Sequence, residues 1–462
     1  MSTLPADVLG ELYRSDVGWR LLADLVDLNN RMPGQEGEHR GAAYVRERFE
    51  EHDLDGIAVE EFPIPGWWRG EASLELHGVE PEQRFAHQHE LVTLPGVPAG
   101  EVTGEIADLG HAVPEDFEDV DLSGKIAMAS SRTPDDYDRW VHRMEKYCLA
   151  VEAGADGFLF RNHVEGCLPP TGDVGKIDRA AEVPAVGVSK EVGDRLLRYC
   201  DRGDVEATLA VDCRNEPATS RNVEAVVGPD TDREVLFTAH VDGHDVGTAA
   251  ADNGAGCVLV VEVARALKAI EDDLETRVRL VVFGAEETGL YGSYYWSQTR
   301  DLDRVKCVFN VDGVGYSRDL KVHTHGFEGI ADAIAETGAE FDVDLATEDG
   351  LYPHSDHWPF VQRGIPGSQG LSETDDEGRG WGHTHADTLD KMDVRDLRDL
   401  TIYCATAVAK LAERDREIEP VGEDVIREMA VDGGYDVGMK AIGHWPWGED
   451  DRPWPWREEP DE

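Results

Sequence analysis

The apolar positions of this chain fall into two rhythms. Between residues 216 and about 415, short runs of almost unbroken apolar residues alternate with longer stretches whose apolar residues recur every three or four places. EVLFTAH (234–240), RVRLVVFG (277–284) and KCVFNVDG (306–313) are of the first kind, the length of a strand buried on both faces. GAGCVLVVEVARAL (254–267) and Val394–Glu413 are of the second kind and read as helices. Strand and helix alternating in this way predict an α/β fold, a mainly parallel or mixed central sheet sandwiched by helices. Ligands of such sheets gather at the carboxyl ends of the strands. The three runs lead into His240, Glu286 and Asp312.

The flanking regions carry other patterns. Residues 1–88 open with a helical period over Gly18–Leu28, then a turn-like RMPGQEGEHRG, an amphipathic AAYVRERFEEHDL and a strand-like VEEFPI. Trp67 and Trp68 follow as packing residues. Residues 89–215 repeat a smaller strand–helix alternation in DLSGKIAMAS, MEKYCLAVEAGADGFLF and VPAVGVSKEVGDRLLRYC, without a cluster of metal-ligating residues. This predicts a separate insert. Residues 416–462 form a polar extension containing HWPWGEDDRPWPW, whose prolines exclude regular helix over the repeat. Docking across the domain or a subunit surface, as in a homodimer, is the expected use of four tryptophans.

Bulk properties narrow the field. At 462 residues the chain needs two or three core-forming units. No apolar run reaches the roughly 18 residues of a membrane helix, and the first residues lack an export pattern. A cytoplasmic location is expected on that ground. Asp and Glu number 96 against 44 Lys and Arg, a formal charge of −52 spread along the chain. Such a field repels nucleic acid and anionic membranes. It suits a halophile, where concentrated salt screens the self-repulsion. Seven scattered cysteines without a CxxC pair point to free thiols, not to disulfides or a cysteine metal site.

The chemistry lies in four pieces, each weak alone and informative in combination. In HVDGHDVGTAAADNGAG, His240 has a neutral imidazole suited to zinc, and Asp242 two residues on can fix its tautomer. Asp252 stands before the glycine-rich opening of a helix. Its two oxygens can bridge two cations, although an N-cap would look the same. In VVFGAEETGLYGS, Glu286 and Glu287 point in different directions, so one can bind metal while the other acts as base. A helix start with two acids is the plainer reading. VFNVDGVG supplies Asp312 and WGHTHADTLDKMD supplies His383. His240, Asp252, Glu287, Asp312 and His383 form a mixed N/O set suited to two Zn2+, with Co2+ or Mn2+ as substitutes.

These pieces resemble the co-catalytic zinc exopeptidases, among them bacterial leucyl aminopeptidases, aminopeptidase Y and the glutamate carboxypeptidases. HVD, ADNGAG, GAEETGLYGS, NVDG, SDHWPF and GHTHADTLDK run in that family's order, and GQEGEHRGAAYVRERF and SRNVEAVV also fit. The resemblance implies one metal on His240, Asp252 and Asp312, a second on Asp252, Glu287 and His383, and Glu286 as general base. It implies that Ser355, Asp356 and His357 shape the substrate site. The insert resembles a protease-associated domain through DLSGKIAMAS, AGADGFLF and EVPAVGVS. Two departures stand out: His385 follows His383 at a position where the family carries a small residue or proline, and His244 is an extra imidazole beside His240. Both compete for metal.

The resemblance implies hydrolysis of short peptides, with an aminopeptidase favoured by the acidic SETDDEG before His383, which suits a substrate ammonium. A carboxypeptidase or dipeptidase of the same family would need a cation for the substrate carboxylate, and Arg363 and Arg379 lie in the right region. An inactive binding or scaffold homologue should have lost a ligand or the base, and none is lost here. Glutaminyl cyclisation goes with one metal, against the complete set of two.

Overall fold

A computed structural model of the protein describes residues 3–28, 30–177, 179–373 and 380–448. It divides into two compact units. The first comprises Met1–Ile64, Ala218–Asp375 and Asp387–Met429; the second comprises Pro65–Pro217, Asp376–Ala386 and Ala430–Glu462.

In the first unit the three apolar runs form adjacent parallel strands. Glu234–His240 lies between Arg277–Phe283 and Val305–Val311, and Gly367–Ser372 continues the parallel set beyond Val305–Val311. The edges are antiparallel. Residues 223–227 of the long strand Glu206–Val227 pair with Arg277–Phe283, and Leu320–His323 pairs with Gly367–Ser372. The sheet is therefore mixed with a parallel centre. Every side chain of Glu234–His240 and of Val305–Val311 is buried, as their unbroken apolar character requires.

The chain leaves Glu234–His240 in one direction through helix Ala255–Lys268 to Arg277–Phe283. It then returns past its starting strand through helix Tyr291–Thr299 to Val305–Val311. Right-handed crossovers in opposite directions put the two helices on opposite faces. Helices Val17–Val26 and Val394–Leu411 pack with Ala255–Lys268. On the other face, Trp296 and Phe360 close a core with Leu236, Val281, Phe283 and Val308. The reversal opens a crevice beyond the carboxyl ends of the central strands, where His240, Glu286 and Asp312 stand.

One expectation needs correction, and one segment holds more than its pattern showed. RMPGQEGEHRG is not a turn throughout, because helix Glu36–Glu51 begins inside it. Its glycines serve close packing: a Cβ on Gly41 would stand 2.8 Å from Val241 Cγ2. The polar extension holds two helices, Glu423–Asp432 and Tyr435–Ala441, ahead of the tryptophan–proline repeat. Residues 449–462, most of that repeat, lie outside the described residues.

The second unit is a smaller sheet. Gly100–Asp108, Lys125–Ser130, Gly157–Arg161 and Ala185–Val188 run parallel in that order. Leu91–Thr93 pairs antiparallel at one edge and residues 206–211 at the other. Ser189 caps helix Lys190–Cys200 by accepting from Val192 N–H. Helix Tyr435–Ala441 packs on helix Arg143–Glu152 at Gly438, where a Cβ would meet Glu145 Oε2 at 2.4 Å. Glu145 is paired with Arg139 at 2.6 and 2.8 Å, both buried.

Among the described residues no helix is long and apolar enough to cross a membrane. All seven cysteines are unpaired.

At the end of strand Leu320–His323 lies a stack of aromatic and imidazole rings. His325 and His357 stack with centroids 4.8 Å apart, and His323 stacks on Tyr352 at 4.6 Å. His325 donates from Nδ1 to Gly367 O and His357 from Nε2 to Tyr352 O. Burial pushes the His325 imidazole down from 6.5 to about 4, and His357 well below its usual value. Between pH 6.5 and 4 the unfolded chain binds a proton at His325 that the folded chain refuses, so stability falls as pH falls through that window. His325 alone accounts for about 3 kcal/mol. We expect denaturant unfolding at pH 4.5 to show a lower midpoint than at pH 7, and His325→Phe to reduce the difference. An equal difference in both proteins would refute the assignment.

Candidate metal centre

The local backbone explains how the site residues are presented. His240 ends its strand, Asp312 follows its strand by one residue, and Glu286 follows by three. Glu286 and Glu287 do not start a helix, since the next helix begins at Tyr291. They sit in the turn before it. Asp252 is likewise not the N-cap of helix Ala255–Lys268, which is Gly254. It lies in an irregular turn, Ala250–Gly254, with φ −119° and ψ 86°. Asn253 secures that turn by accepting from Gly256 N–H and donating to Val311 O. Ala249 and Ala285 have φ of 51° and 56°, a region that disfavours side chains. Such strain beside Asp252 and Glu286 is a mark of functional sites.

The side chains of the first unit converge on His240. Its Nε2 lies 3.2 Å from Asp312 Oδ1, 3.5 Å from Asp252 Oδ1 and 3.9 Å from Glu286 Oε2. One ligand atom each from His240, Glu286 and Asp312 falls within 4.8 Å of the others. On the far side of the ring, Nδ1 lies 3.2 Å from Asp242 O. A carbonyl only accepts, so Nδ1 donates there, and Nε2 faces the carboxylates and donates to Asp312, which also only accepts. With Nδ1 held in this way, Nε2 is the nitrogen left for a metal that takes the place of its proton. Glu287 Oε2 lies 2.8 Å from His244 Nε2, so the extra imidazole faces the second glutamate of the pair.

The electrostatics are those of crowded acids. Burial opposes charge on His240, but Glu286 and Asp312 outweigh it and hold the imidazole pKa well above its usual value. Burial raises Glu286 well above the usual carboxyl range, and Asp312, Asp356 and Glu287 add to it. Asp356 is raised to about 8, chiefly by burial. Acids packed this closely around an imidazole nitrogen suit a cation, and the mixed N/O donors fit zinc.

Ser355, Asp356 and His357 are all fully buried. Ser355 donates to Asp312 Oδ2 at 2.9 Å and accepts from Asn310, which Thr238 and Gln369 hold in turn. His357 belongs to the ring stack. Arg363 donates to Ser297 O, so its charge is engaged inside the first unit. His383 lies in the second unit with φ 57°. Its Nδ1 faces both an acceptor, Thr171 O at 3.2 Å, and a donor, Arg143 Nη1 at 3.4 Å. His385 places Nε2 2.8 Å from Gln88 O and packs against His89. Of SETDDEG, all but Ser372 and Glu373 lies outside the described residues, as does Arg379.

Sequence reasoning passed over three residues that hold this geometry. Asp387, inside the GHTHADT motif, accepts from the backbone N–H of Ala251 and Asp252 at 2.9 and 3.1 Å. Arg31 donates to the carbonyls of Leu25, Val241, Thr248 and Ala249. Glu38 accepts from Ala285 N–H. Their signal was an ionisable residue inside or beside the quoted motifs, which pattern alone assigns to solvent.

Comparison with known proteins gives the class. Residues 222–408 match the model of Peptidase family M28 and residues 92–196 match the PA domain. The chain therefore carries a Peptidase family M28 domain and, ahead of it in sequence, a PA domain. It is 28% identical over 404 residues to Aminopeptidase YwaD of Bacillus subtilis (strain 168), covering 84% of this chain and 82% of that protein. The aminopeptidase from Aneurinibacillus sp. strain AM-1 superposes with a TM-score of 0.69 at 25% identity, over 90% of this chain and 98% of that one. The structure titled BSAP, a zinc aminopeptidase from Bacillus subtilis, gives 0.67 at 24% identity, over 88% and 97%.

Removing the Asp387 carboxylate leaves two buried N–H groups without acceptors, each costing about 1–3 kcal/mol. We expect Asp387→Ala to lower unfolding free energy by about 2–5 kcal/mol in chemical denaturation. A change below about 0.5 kcal/mol would show that the two bonds carry no weight.

Proposed function

We propose that this protein is a zinc-dependent aminopeptidase that removes N-terminal residues from short peptides. The observation that carries the reading is the convergence of Asp252, Glu286 and Asp312 on Nε2 of His240. In this reading His240, Asp252 and Asp312 hold one ion, and Asp252, Glu287 and His383 hold a second. Co2+ and Mn2+ are workable substitutes. Bound there, the ions would supply Lewis-acid polarisation of the peptide carbonyl and acidify water.

The chain's own residues do the rest. Asp242 fixes the His240 ring and the turn behind it. Glu286, whose carboxyl burial keeps basic, takes a proton from water as it attacks the peptide carbonyl and returns it to the leaving amine. Asp312 is held in register by Ser355 Oγ. Asp356, buried beside these groups, limits the space a substrate can take. His244 shares Glu287 and is the competitor of His383 for the second position.

An aminopeptidase agrees with the names of Aminopeptidase YwaD and the Aneurinibacillus enzyme, although a relative from Xenopus laevis is named Carboxypeptidase Q, and the excess of carboxylates suits a substrate ammonium. Arg363 has no such readiness for a substrate carboxylate, since Ser297 O already engages it. The unpaired cysteines support work in a reducing compartment such as the cytoplasm, and the charge of −52 supports work in concentrated salt.

The test is hydrolysis of a dipeptide and aminoacyl-anilide panel in molar KCl with added zinc, beside Glu286→Ala. Wild type should release free N-terminal residues, and the variant should lose at least about 10²-fold in kcat while retaining metal. Chelation should abolish activity, and zinc should restore it. Cleavage of N-blocked peptides from the C-terminus would reverse the polarity, and near-normal kcat in the variant would remove Glu286 from its role.

A further inference from the structure

The Glu286–Glu287 turn is held by more than its own hydrogen bonds. Three successive backbone N–H groups, those of Ala285, Glu286 and Glu287, each end on a buried carboxylate. Ala285 N–H donates to Glu38 Oε1 at 3.1 Å, Glu286 N–H to Asp242 Oδ1 at 3.2 Å and Glu287 N–H to Asp242 Oδ2 at 3.0 Å. Fixing three consecutive peptide planes fixes the directions in which the Glu286 and Glu287 side chains leave the backbone. Ala285 needs such support, because its φ of 56° is unfavourable for an alanine.

Glu38 comes from the first turn of helix Glu36–Glu51, some 250 residues away in the chain. It is fully buried. It also accepts from Ser220 Oγ at 2.5 Å and from Gly34 N–H at 2.7 Å, with His39 Nε2 3.9 Å from its other oxygen. Its Oε1 thus serves Ala285 and Ser220 while its Oε2 serves Gly34, so both oxygens are engaged. The fit is tight: a Cβ on Gly284 would stand 2.3 Å from Ser220 Oγ and 2.9 Å from Glu38 Oε1. Asn222 closes the same turn by joining Gly284 N–H to Gly292 O.

We propose that Glu38 is a positioning residue for the reaction, setting the directions of Glu286 and Glu287 through the Ala285 peptide. The inference rests on the reading of Glu286 as base and Glu287 as metal ligand. It assigns a task to a helix that carries none of the proposed ligands.

The experiment uses the full chain loaded with Co2+. Glu38→Met and Glu38→Gln are made alone, and Glu38→Met is also combined with Glu286→Asp. kcat, KM, metal content, thermal midpoint and the visible Co2+ spectrum are measured. Glu38→Met should lower kcat by about 10–100-fold, as expected of a shift near 1 Å at the reacting group, with KM within about two-fold. Its Co2+ spectrum should change, because Glu287 moves. Glu38→Gln retains an acceptor for Ala285 N–H and should recover most of kcat. In the Glu286→Asp background, Glu38→Met should add less than about three-fold, because residues acting through one another are not additive.

A Glu38→Met protein with wild-type kcat and spectrum would overturn the proposal. So would equal losses in both single variants that multiply with Glu286→Asp and leave the spectrum unchanged, the behaviour of a residue that only supports folding. Should Glu38→Met fail to fold, Glu38→Asp, which keeps the charge but withdraws the carboxylate by one methylene, takes its place under the same criteria. An active Glu286→Ala protein would fail the underlying reading instead, a result distinct from any of these.

Discussion

The structure around the carboxyl ends of the central strands depends on one constraint: buried acids must be kept close together without flying apart. Asp242, Asp252, Glu286, Glu287, Asp312 and Asp356 are all largely or wholly withdrawn from water. Two like charges about 4 Å apart repel by about 4 kcal/mol at the effective dielectric near a protein surface, and by more deeper inside. The chain meets this by backbone N–H donors, by one imidazole shared among three carboxylates and by raised proton affinity at Glu286 and Asp356. In the proposed reading, cations supply what remains.

The acids divide by what their oxygens face. Glu38, Asp242 and Asp387 spend theirs on backbone N–H groups of the turns, and so set where those turns lie. Asp252, Glu286 and Asp312 face the His240 nitrogen. The first group holds the backbone that carries much of the second: Asp387 under Asp252, and Asp242 with Glu38 under Glu286. Arg31 completes the arrangement from the cationic side. Burial holds its pKa down, and its guanidinium binds four backbone carbonyls, two of them just before the Asp252 turn. A buried cation on carbonyls stiffens the loop from His240 to Asp252, and its charge also acts on Asp387, Asp242 and Asp252.

This division marks what was legible in the sequence. The strands were readable because full burial demands unbroken apolar runs, as in EVLFTAH, and the residues just beyond them were readable because the crossovers bring those ends together. The order of HVD, ADNG, AEE and NVD then named the facing group. Glu38 and Arg31 were not readable as supports, because an acid and a base in a glycine-rich stretch look like solvated turn residues. Only the packing of Gly41 against Val241 shows that this stretch is an interior helix start. The tail helices escaped for the opposite reason: they are polar and short, and the prolines of the neighbouring repeat dominate the pattern. Asp252 shows a third case, where ADNG fits an N-cap locally and only the shift of the helix start to Ala255, with Gly254 as its cap, removes that reading.

The acidity of the whole chain bears on the site in a way composition alone does not reveal. With −52 spread over the surface, a long-range field would draw any cationic peptide terminus toward the protein without regard to the site. In about 1 M salt the Debye length is about 3 Å, so that field ends within one side chain of the surface. Steering by surface acids is then lost, and discrimination between the two ends of a peptide rests on groups in contact with it. In the proposed reading those groups are the buried acids, which salt screens far less than exposed ones. In that reading the surface charge and the site charge answer to different demands, solubility for one and recognition of an ammonium for the other, although both are written in the same two residue types.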